Sequence, residues 1–143
     1  MKNMENKLWW FFRFWIPVLI WLGVIFAFSS YPTGTATEII WWDFIIKKTA
    51  HVVEYAILSL LLYRALINSA VSKNKAGMWA IFISVLYGLS DEYHQSFTPG
   101  RTPKLRDVGF DTIGAIGIIY IVWNLLPTMP RKLRMWAEKL QVV

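Results

Sequence analysis

The 143-residue sequence contains no cysteine, which excludes disulfides and thiol chemistry and leaves the redox compartment undetermined. Charged residues are also scarce, at 17%, whereas hydrophobic residues make up 56% and aromatic residues 17%. This balance is too apolar for an ordinary soluble domain of this size, so we expect an integral membrane protein. Histidine is rare as well, since His51 and His94 are the only two.

The formal net charge is +6, which in a soluble protein would suggest a nucleic-acid partner. Here the basic residues flank apolar runs, so we expect membrane lipids as partners and no nucleic acid. No removable signal peptide is evident, because the first apolar run is long enough to stay in the bilayer.

Four apolar runs, over about residues 9–28, 44–66, 76–95 and 108–126, predict transmembrane helices. Between the first two runs, Thr35 to Glu38 has the spacing of a capping box, which predicts a short interfacial helix over Ile39 to Ile46. In the last run, Gly109, Gly114 and Gly117 would let neighbouring helices approach closely. We therefore predict an all-α membrane bundle of four transmembrane helices, forming one domain over residues 1–143.

The C-terminal tail follows Pro127 and Pro130, which end the fourth run. It places four apolar residues at helical spacing among basic ones, namely Leu133, Trp136, Leu140 and Val143. This pattern predicts a basic amphipathic helix that lies on the membrane surface.

The distribution of basic residues predicts the topology. If both termini share one side, that side holds ten of the 15 Lys and Arg residues (2, 7, 13, 64, 73, 75, 131, 132, 134 and 139), and the other side holds 47, 48, 101, 104 and 106. The positive-inside rule then places both termini in the cytoplasm. Seven of the nine acidic residues (38, 43, 54, 91, 92, 107 and 111) lie toward the outer half, so a site there faces outward.

A polar motif, Ser90 to Arg101, follows directly on the third apolar run. Ionisable groups at membrane depth are costly unless they are paired, hydrated or used, so the motif indicates a functional site. Its last four residues, Thr98 to Arg101, predict a tight turn, because Pro99 suits the first central position and Gly100 the second, where φ is positive.

Further polar residues share helix faces in the same half of the bundle. His51 and Glu54 are three residues apart, Asp107 and Asp111 are four apart, and Ser29 and Ser30 end the first run. We predict catalytic roles for five residues, His51, Glu54, Asp91, Glu92 and His94, and binding roles for six, Lys48, Gln95, Arg101, Lys104, Asp107 and Asp111.

Two kinds of chemistry fit these residues. Imidazole and carboxylate groups suit a divalent zinc, iron or manganese ion, held by His51, Glu54, Asp91 and His94. Alternatively, one histidine moves a proton without a metal while a carboxylate orients it, and Arg101 binds a phosphate or carboxylate.

Several of these residues also have purely structural explanations. Asp107 suits the N-cap of the fourth helix, and Asp111 its positive first turn. Arg101 would pair with Asp91 or Glu92 and hold the loop in place, while Lys48 and its neighbour would contact lipid head groups.

Three segments together resemble the VanZ-like family of bacterial membrane proteins. They are Lys48-x-x-His51-x-x-Glu54-Tyr55, Ser90-Asp91-Glu92-Tyr93-His94-Gln95 through Pro99-Gly100-Arg101, and Asp107-Val108 with Asp111-x-x-Gly114-x-x-Gly117. The similarity covers about residues 14–124. The chain departs from the family pattern at Thr102-Pro103-Lys104 and at Asp111, where asparagine is common.

The resemblance implies a multi-pass protein of the bacterial cytoplasmic membrane with a link to resistance against the glycopeptide teicoplanin. It attaches no reaction to the family, so two functions stay open. One is an envelope enzyme, a hydrolase or transferase, that acts on an anionic lipid head at the outer face. The other is a non-catalytic protein that binds a lipid, a lipid-linked precursor, the glycopeptide or a partner. Separately, glycine-lined helix faces would allow the bundle to form a homodimer. A transporter is less favoured, because four spans leave little room and no inverted repeat is visible.

Overall fold

The computed structural model of the protein describes residues 2–32, 41–101 and 103–142, without the side chains of residues 2–5 and 43. The predicted capping box at Thr35 to Glu38 lies outside the described residues, as do Ile39 and Ile40. All regular secondary structure in the described chain is helical. Its helices are α1 (Lys2–Phe14), α2 (Ile16–Ser30), α3 (Trp41–Ile67), α4 (Lys73–Gln95), α5 (Leu105–Tyr120) and α6 (Arg131–Lys139), with a π-helical turn at Ile121–Leu125 and a 3-10 turn at Leu126–Thr128 between α5 and α6.

Helices α1 and α2 form one nearly continuous rod that is interrupted at Trp15. The interruption lies beside Pro17, which has no backbone N–H to donate to the carbonyl of Arg13 four residues earlier. That carbonyl instead accepts a hydrogen bond from Arg64 Nη1 at 3.3 Å. The first apolar run is therefore helical as predicted, with a proline-induced break inside it.

Helix α3 lies at the centre of the bundle and packs against α2, α4 and α5. Trp41 to Ile46, predicted as part of a separate short helix, is the first part of α3, because the sequence places no proline or glycine between Trp41 and Ile67. The core it organises contains Phe14, Val18, Ile25, Tyr55, Leu58, Leu62, Tyr63, Ala65, Ala76, Ala80, Ile119 and Val122.

Small residues allow α4 and α5 to approach their neighbours closely. On α4 the residues Ala76, Ala80, Ser84 and Gly88 recur every four positions and are all buried. On α5, Gly114 packs directly against the backbone of Val52 in α3. The same role was predicted for Gly109 and Gly117 and is wrong, since both face open space.

Three helical segments are long and apolar enough to cross a membrane, namely Asn6–Ser30, Phe44–Ile67 and Leu105–Thr128. They coincide with the first, second and fourth predicted spans. Helix α4 packs between them. It is not one of the three, and its sequence carries Lys73 and Lys75 at one end and Asp91 and Glu92 at the other.

The two ends of the bundle differ in character. At one end, Arg64 Nε donates to the carbonyl of Leu140 at 2.5 Å and Asn68 Nδ2 donates to that of Gln141 at 3.0 Å. Trp10 Nε1 donates to the Asn68 carbonyl at 2.9 Å, so the N-terminal helix, the end of α3 and the C-terminal segment meet there. The opposite end, where α2 and α4 finish and α3 and α5 begin, carries the acidic residues Asp91, Glu92, Asp107 and Asp111.

Candidate functional site

The polar motif after the third run ends in the predicted turn. The N–H of Arg101 donates to the carbonyl of Thr98 at 3.2 Å, and Gly100 has a φ of 79°. This confirms the turn, since glycine adopts positive φ without a steric penalty. It leads the chain from the end of α4 back to the start of α5.

A histidine–carboxylate pair joins α3 to α5. His51 Nδ1 lies 2.9 Å from Asp111 Oδ1, and Asp111 is 1% exposed. A carboxylate accepts a hydrogen from Nδ1, so Nε2 is the nitrogen left to exchange a proton with another group. The second carboxylate oxygen, Oδ2, is buried without a partner in the described structure. Asp111 thus has a specific partner rather than only a helix-dipole role.

Gly88 on α4 makes room for this pair. A Cβ atom at Gly88 would lie 3.0 Å from Asp111 Oδ2 and 3.5 Å from the ring of Tyr55. Tyr55 is fully buried, and its hydroxyl also has no partner among the described residues. Neither residue was predicted for the site, although Gly88 lies in the four-residue repeat of small residues on α4.

A second ion pair connects the same two helices nearer their ends. Lys48 Nζ lies 2.6 Å from Asp107 Oδ2, with both side chains largely buried. The ammonium group also lies 5.7 Å from the centre of the Phe44 ring and 5.8 Å from that of Phe110. The proposed N-cap role of Asp107 is wrong, because Lys104 is the N-cap residue and Asp107 lies in the first turn. Lys48 is likewise turned inward rather than toward lipid head groups.

Glu92 holds the start of α5. One of its carboxylate oxygens accepts the backbone N–H of Lys104 at 2.6 Å, and the other is buried without a partner in the described chain. The contact of Lys104 with Glu92 uses only its backbone N–H. The predicted binding of a ligand by the Lys104 side chain stays a prediction.

Arg101 binds the C-terminal end of α2. Its Nε donates to the carbonyl of Tyr31 at 3.2 Å, and one terminal nitrogen donates to that of Phe28 at 2.8 Å. Cations are favoured at this end of a helix, where carbonyls lack partners within the helix. These carbonyls carry no signal in the sequence, so their role was not predicted.

Gln95 stands between Arg101 and the carboxylate of Asp91. Its Nε2 donates to Asp91 Oδ2 at 2.8 Å, and its Oε1 accepts from Arg101 Nη1 at 3.2 Å. The predicted ion pair of Arg101 with Asp91 or Glu92 is therefore absent from the described residues and is replaced by an amide bridge. Arg101 does contact the neighbouring loop and helix end as predicted, but its partners are the Gln95 amide oxygen and backbone carbonyls instead of a carboxylate.

His94 at the end of α4 contacts α2 rather than α3. Its Nε2 lies 3.0 Å from Ser30 Oγ, and its ring centre lies 4.4 Å from that of Phe26. Ser30 Oγ already donates its hydrogen to the Phe26 carbonyl at 2.7 Å. Because a hydroxyl has one hydrogen, Nε2 of His94 must be the donor in its contact with Ser30.

Glu54 lies about one turn beyond His51 on α3 and is half-buried. Its charge interacts with those of His51, Asp91 and Asp111. Among the described side chains, the cluster holds five carboxylates, Glu54, Asp91, Glu92, Asp107 and Asp111, against the cations Lys48 and Arg101 and the more exposed Arg106, whose Nε lies 4.0 Å from Asp107 Oδ1. It therefore has an excess of negative charge unless protons or a ligand compensate it.

The structure places the predicted residues at one end of the bundle but divides them among different partners. The two histidines are bound by different helices, α5 for His51 and α2 for His94. Among the residues described, no three His, Asp or Glu side chains form a group that could hold a metal ion. The predicted binding of a metal ion by His51, Glu54, Asp91 and His94 stays a prediction.

Apolar helices that enclose acidic and basic side chains at one end of a bundle define a helical membrane protein with a buried polar cluster. A family model described as VanZ/LLP1 matches residues 14–126, and the chain therefore belongs to this family. Membership and the apolar helices together make it a membrane protein of VanZ type. No individual curated protein and no solved structure matches the chain.

Proposed function

We propose that the protein spans the bacterial cytoplasmic membrane four times with both termini in the cytoplasm. The contacts of Trp10, Arg64 and Asn68 with the two chain ends support this arrangement, since they gather the basic segments at one end of the bundle. The acidic cluster then lies at the outer face. The exposed apolar face of α6, which includes Leu133 and Trp136, would rest on the inner surface.

This topology is testable by cysteine labelling, because the natural sequence gives no background. Leu105→Cys, at a residue that is 79% exposed, should react with a membrane-impermeant maleimide in intact cells. Glu138→Cys on α6 should react only after lysis. The reverse pattern would place the site in the cytoplasm, and equal labelling of both positions in intact cells would contradict the four-span topology.

We propose further that the protein binds a lipid or lipid-linked envelope precursor at its outer face and performs acid–base chemistry on it. The observation that carries this proposal is the 2.9 Å contact between His51 Nδ1 and the buried Asp111. In such a pair Nε2 accepts a proton from a hydroxyl or water, while the carboxylate orients the ring and stabilises the imidazolium that forms. Teicoplanin resistance would be the cellular consequence.

The test compares His51→Gln and Asp111→Asn with the wild type in a teicoplanin-sensitive bacterium. A general base typically contributes about 100-fold or more to a rate, so both variants should reduce resistance to the level of the empty vector. Thr112→Ala, which removes a hydroxyl beside Asp111 that donates to the Val108 carbonyl, is the matched control and should retain resistance.

Thermal unfolding of the purified variants in detergent separates this proposal from its alternative. Folded but inactive His51→Gln and Asp111→Asn proteins support acid–base chemistry. Activity lost only in proportion to stability would instead support a non-catalytic binding protein with a structural polar network. The specific observation in favour of that alternative is that Arg101 donates to the groups of the protein itself at three positions.

A further inference from the structure

An open cavity of about 240 Å³ lies between α2 and α4, apart from the His51–Asp111 pair. Its main lining residues are four aromatic side chains, Phe26, Tyr87, Tyr93 and Phe97, together with Asp91 and His94. The proposed acid–base chemistry uses none of the four rings. Their presence around a carboxylate calls for a separate explanation.

Three of the four rings make contacts with one another or with the backbone. The hydroxyl of Tyr87 donates to the Leu22 carbonyl at 2.7 Å. The Tyr93 and Phe97 ring centres are 5.2 Å apart in an edge-to-face arrangement. Aromatic rings have electron-rich faces, and these faces attract cations.

Asp91 gives the cavity a negative charge that the protein does not neutralise directly. The residue is 6% exposed, and its Oδ2 accepts from the neutral amide of Gln95. It forms no ion pair within the described parts of the chain. Arg101, the only Lys or Arg in the motif from Ser90 to Arg101, is directed to the Gln95 oxygen and to carbonyls of α2 and its C-cap. A buried carboxylate of this kind is stabilised by a cationic partner.

We propose that this cavity binds the ammonium group of an amino-headed phospholipid. The carboxylate of Asp91 supplies the opposite charge and the aromatic rings supply cation–π contacts. The volume is below the roughly 300 Å³ at which pockets for whole drug-sized ligands begin, so it admits a head group and leaves the acyl chains outside.

The exposed positions of Phe26, Tyr93 and Phe97 favour a lipid over a soluble amine. They form the outer rim of the cavity beside the apolar surface of α2 and α4, from which a head group in the same leaflet enters sideways. This proposal rests on the proposed membrane placement and adds the chemical class of the ligand.

The test measures binding of dihexanoyl phosphatidylethanolamine and dihexanoyl phosphatidylglycerol to the purified full-length protein by calorimetry. The two probes share chains and phosphate and differ in the head-group alcohol, which is ethanolamine with its ammonium group in one and uncharged glycerol in the other. We expect the ethanolamine lipid to bind at least tenfold more tightly, and Asp91→Asn to remove this preference. Glu138→Gln, an exposed carboxylate on α6, should leave it unchanged.

A second variant tests the rings independently of Asp91, in case Asp91→Asn does not fold. Tyr93→Leu/Phe97→Leu should reduce the preference severalfold. The matched control is Trp79→Leu/Phe82→Leu, since these exposed residues form a similar edge-to-face pair on α4 with centres 5.6 Å apart. That control should retain the preference.

Three results would overturn the proposal. They are equal binding of the two lipids by the wild type, a preference that survives in both Asp91→Asn and the double variant, and free ethanolamine binding as tightly as the lipid. These outcomes are distinguishable from failure of the proposed function. If ammonium binding is found while His51→Gln keeps full activity, the acid–base proposal fails and the binding site stands.

Discussion

Gly114→Ala is expected to lower the free energy of unfolding by about 1–3 kcal/mol, the usual cost of overpacking a core. An added Cβ would meet the backbone carbonyl of Val52 on α3. Unlike a side chain, a helix carbonyl cannot rotate away, so α3 and α5 would have to separate. The measurement is thermal unfolding of the purified protein in detergent, and larger residues at position 114 should cost more.

Gly117→Ala is the matched control for this prediction. It lies three residues further along α5, and a Cβ added there would have no neighbouring atom within 4 Å. Alanine is favoured over glycine inside a helix by up to about 1 kcal/mol, so this variant should be as stable as the wild type or more stable. Equal stability of the two variants would contradict the close α3–α5 approach.

Lys48→Met is expected to cost up to about 3–5 kcal/mol, because removing one partner of a buried ion pair leaves the other charge poorly compensated. The carboxylate of Asp107, 2.6 Å from the ammonium group, would keep only the more exposed Arg106, whose Nε lies 4.0 Å away. Replacing both partners, as in Lys48→Met/Asp107→Leu, should restore most of the stability, since apolar side chains would then pack between Phe44 and Phe110. Chemical or thermal unfolding of the single and double variants measures both effects.

Lys47→Met provides the control for the charge itself, because Lys47 is exposed and adjacent in sequence. It should change stability by well under 1 kcal/mol, as is usual for surface substitutions. A Lys48→Met variant as stable as Lys47→Met would show that the ion pair does not hold the ends of α3 and α5. A double variant no better than the single one would assign the loss to packing rather than to the buried charge.

Predictions that depended on local sequence were largely confirmed. The apolar runs matched helices because hydropathy over about 20 residues is a property of the segment itself. The turn at Thr98 to Arg101 was confirmed because proline and glycine restrict the backbone at their own positions. The family was recognisable for a similar reason, since its pattern consists of three short segments of neighbouring residues.

Predictions about partners were less successful, and Asp107 and Arg101 show why. Spacing correctly indicated that each lies in the polar half, but the N-cap role and the carboxylate pair were both wrong. A side chain finds its partner through the rotation and separation of whole helices, which spacing along one helix does not specify. The pair of His51 and Asp111 joins positions 60 residues apart for the same reason.

The sequence by itself determined the helical segments, the turn after α4, the family and the set of polar residues that gather at one end. The tertiary structure decided which of them meet: His51 with Asp111, Lys48 with Asp107, and Arg101 with carbonyls of α2. It also decided that Gly114, and not Gly117, lies at a helix contact. Each further residue turns a side chain by about 100° around a helix, so contacts follow from how the helices are rotated against one another.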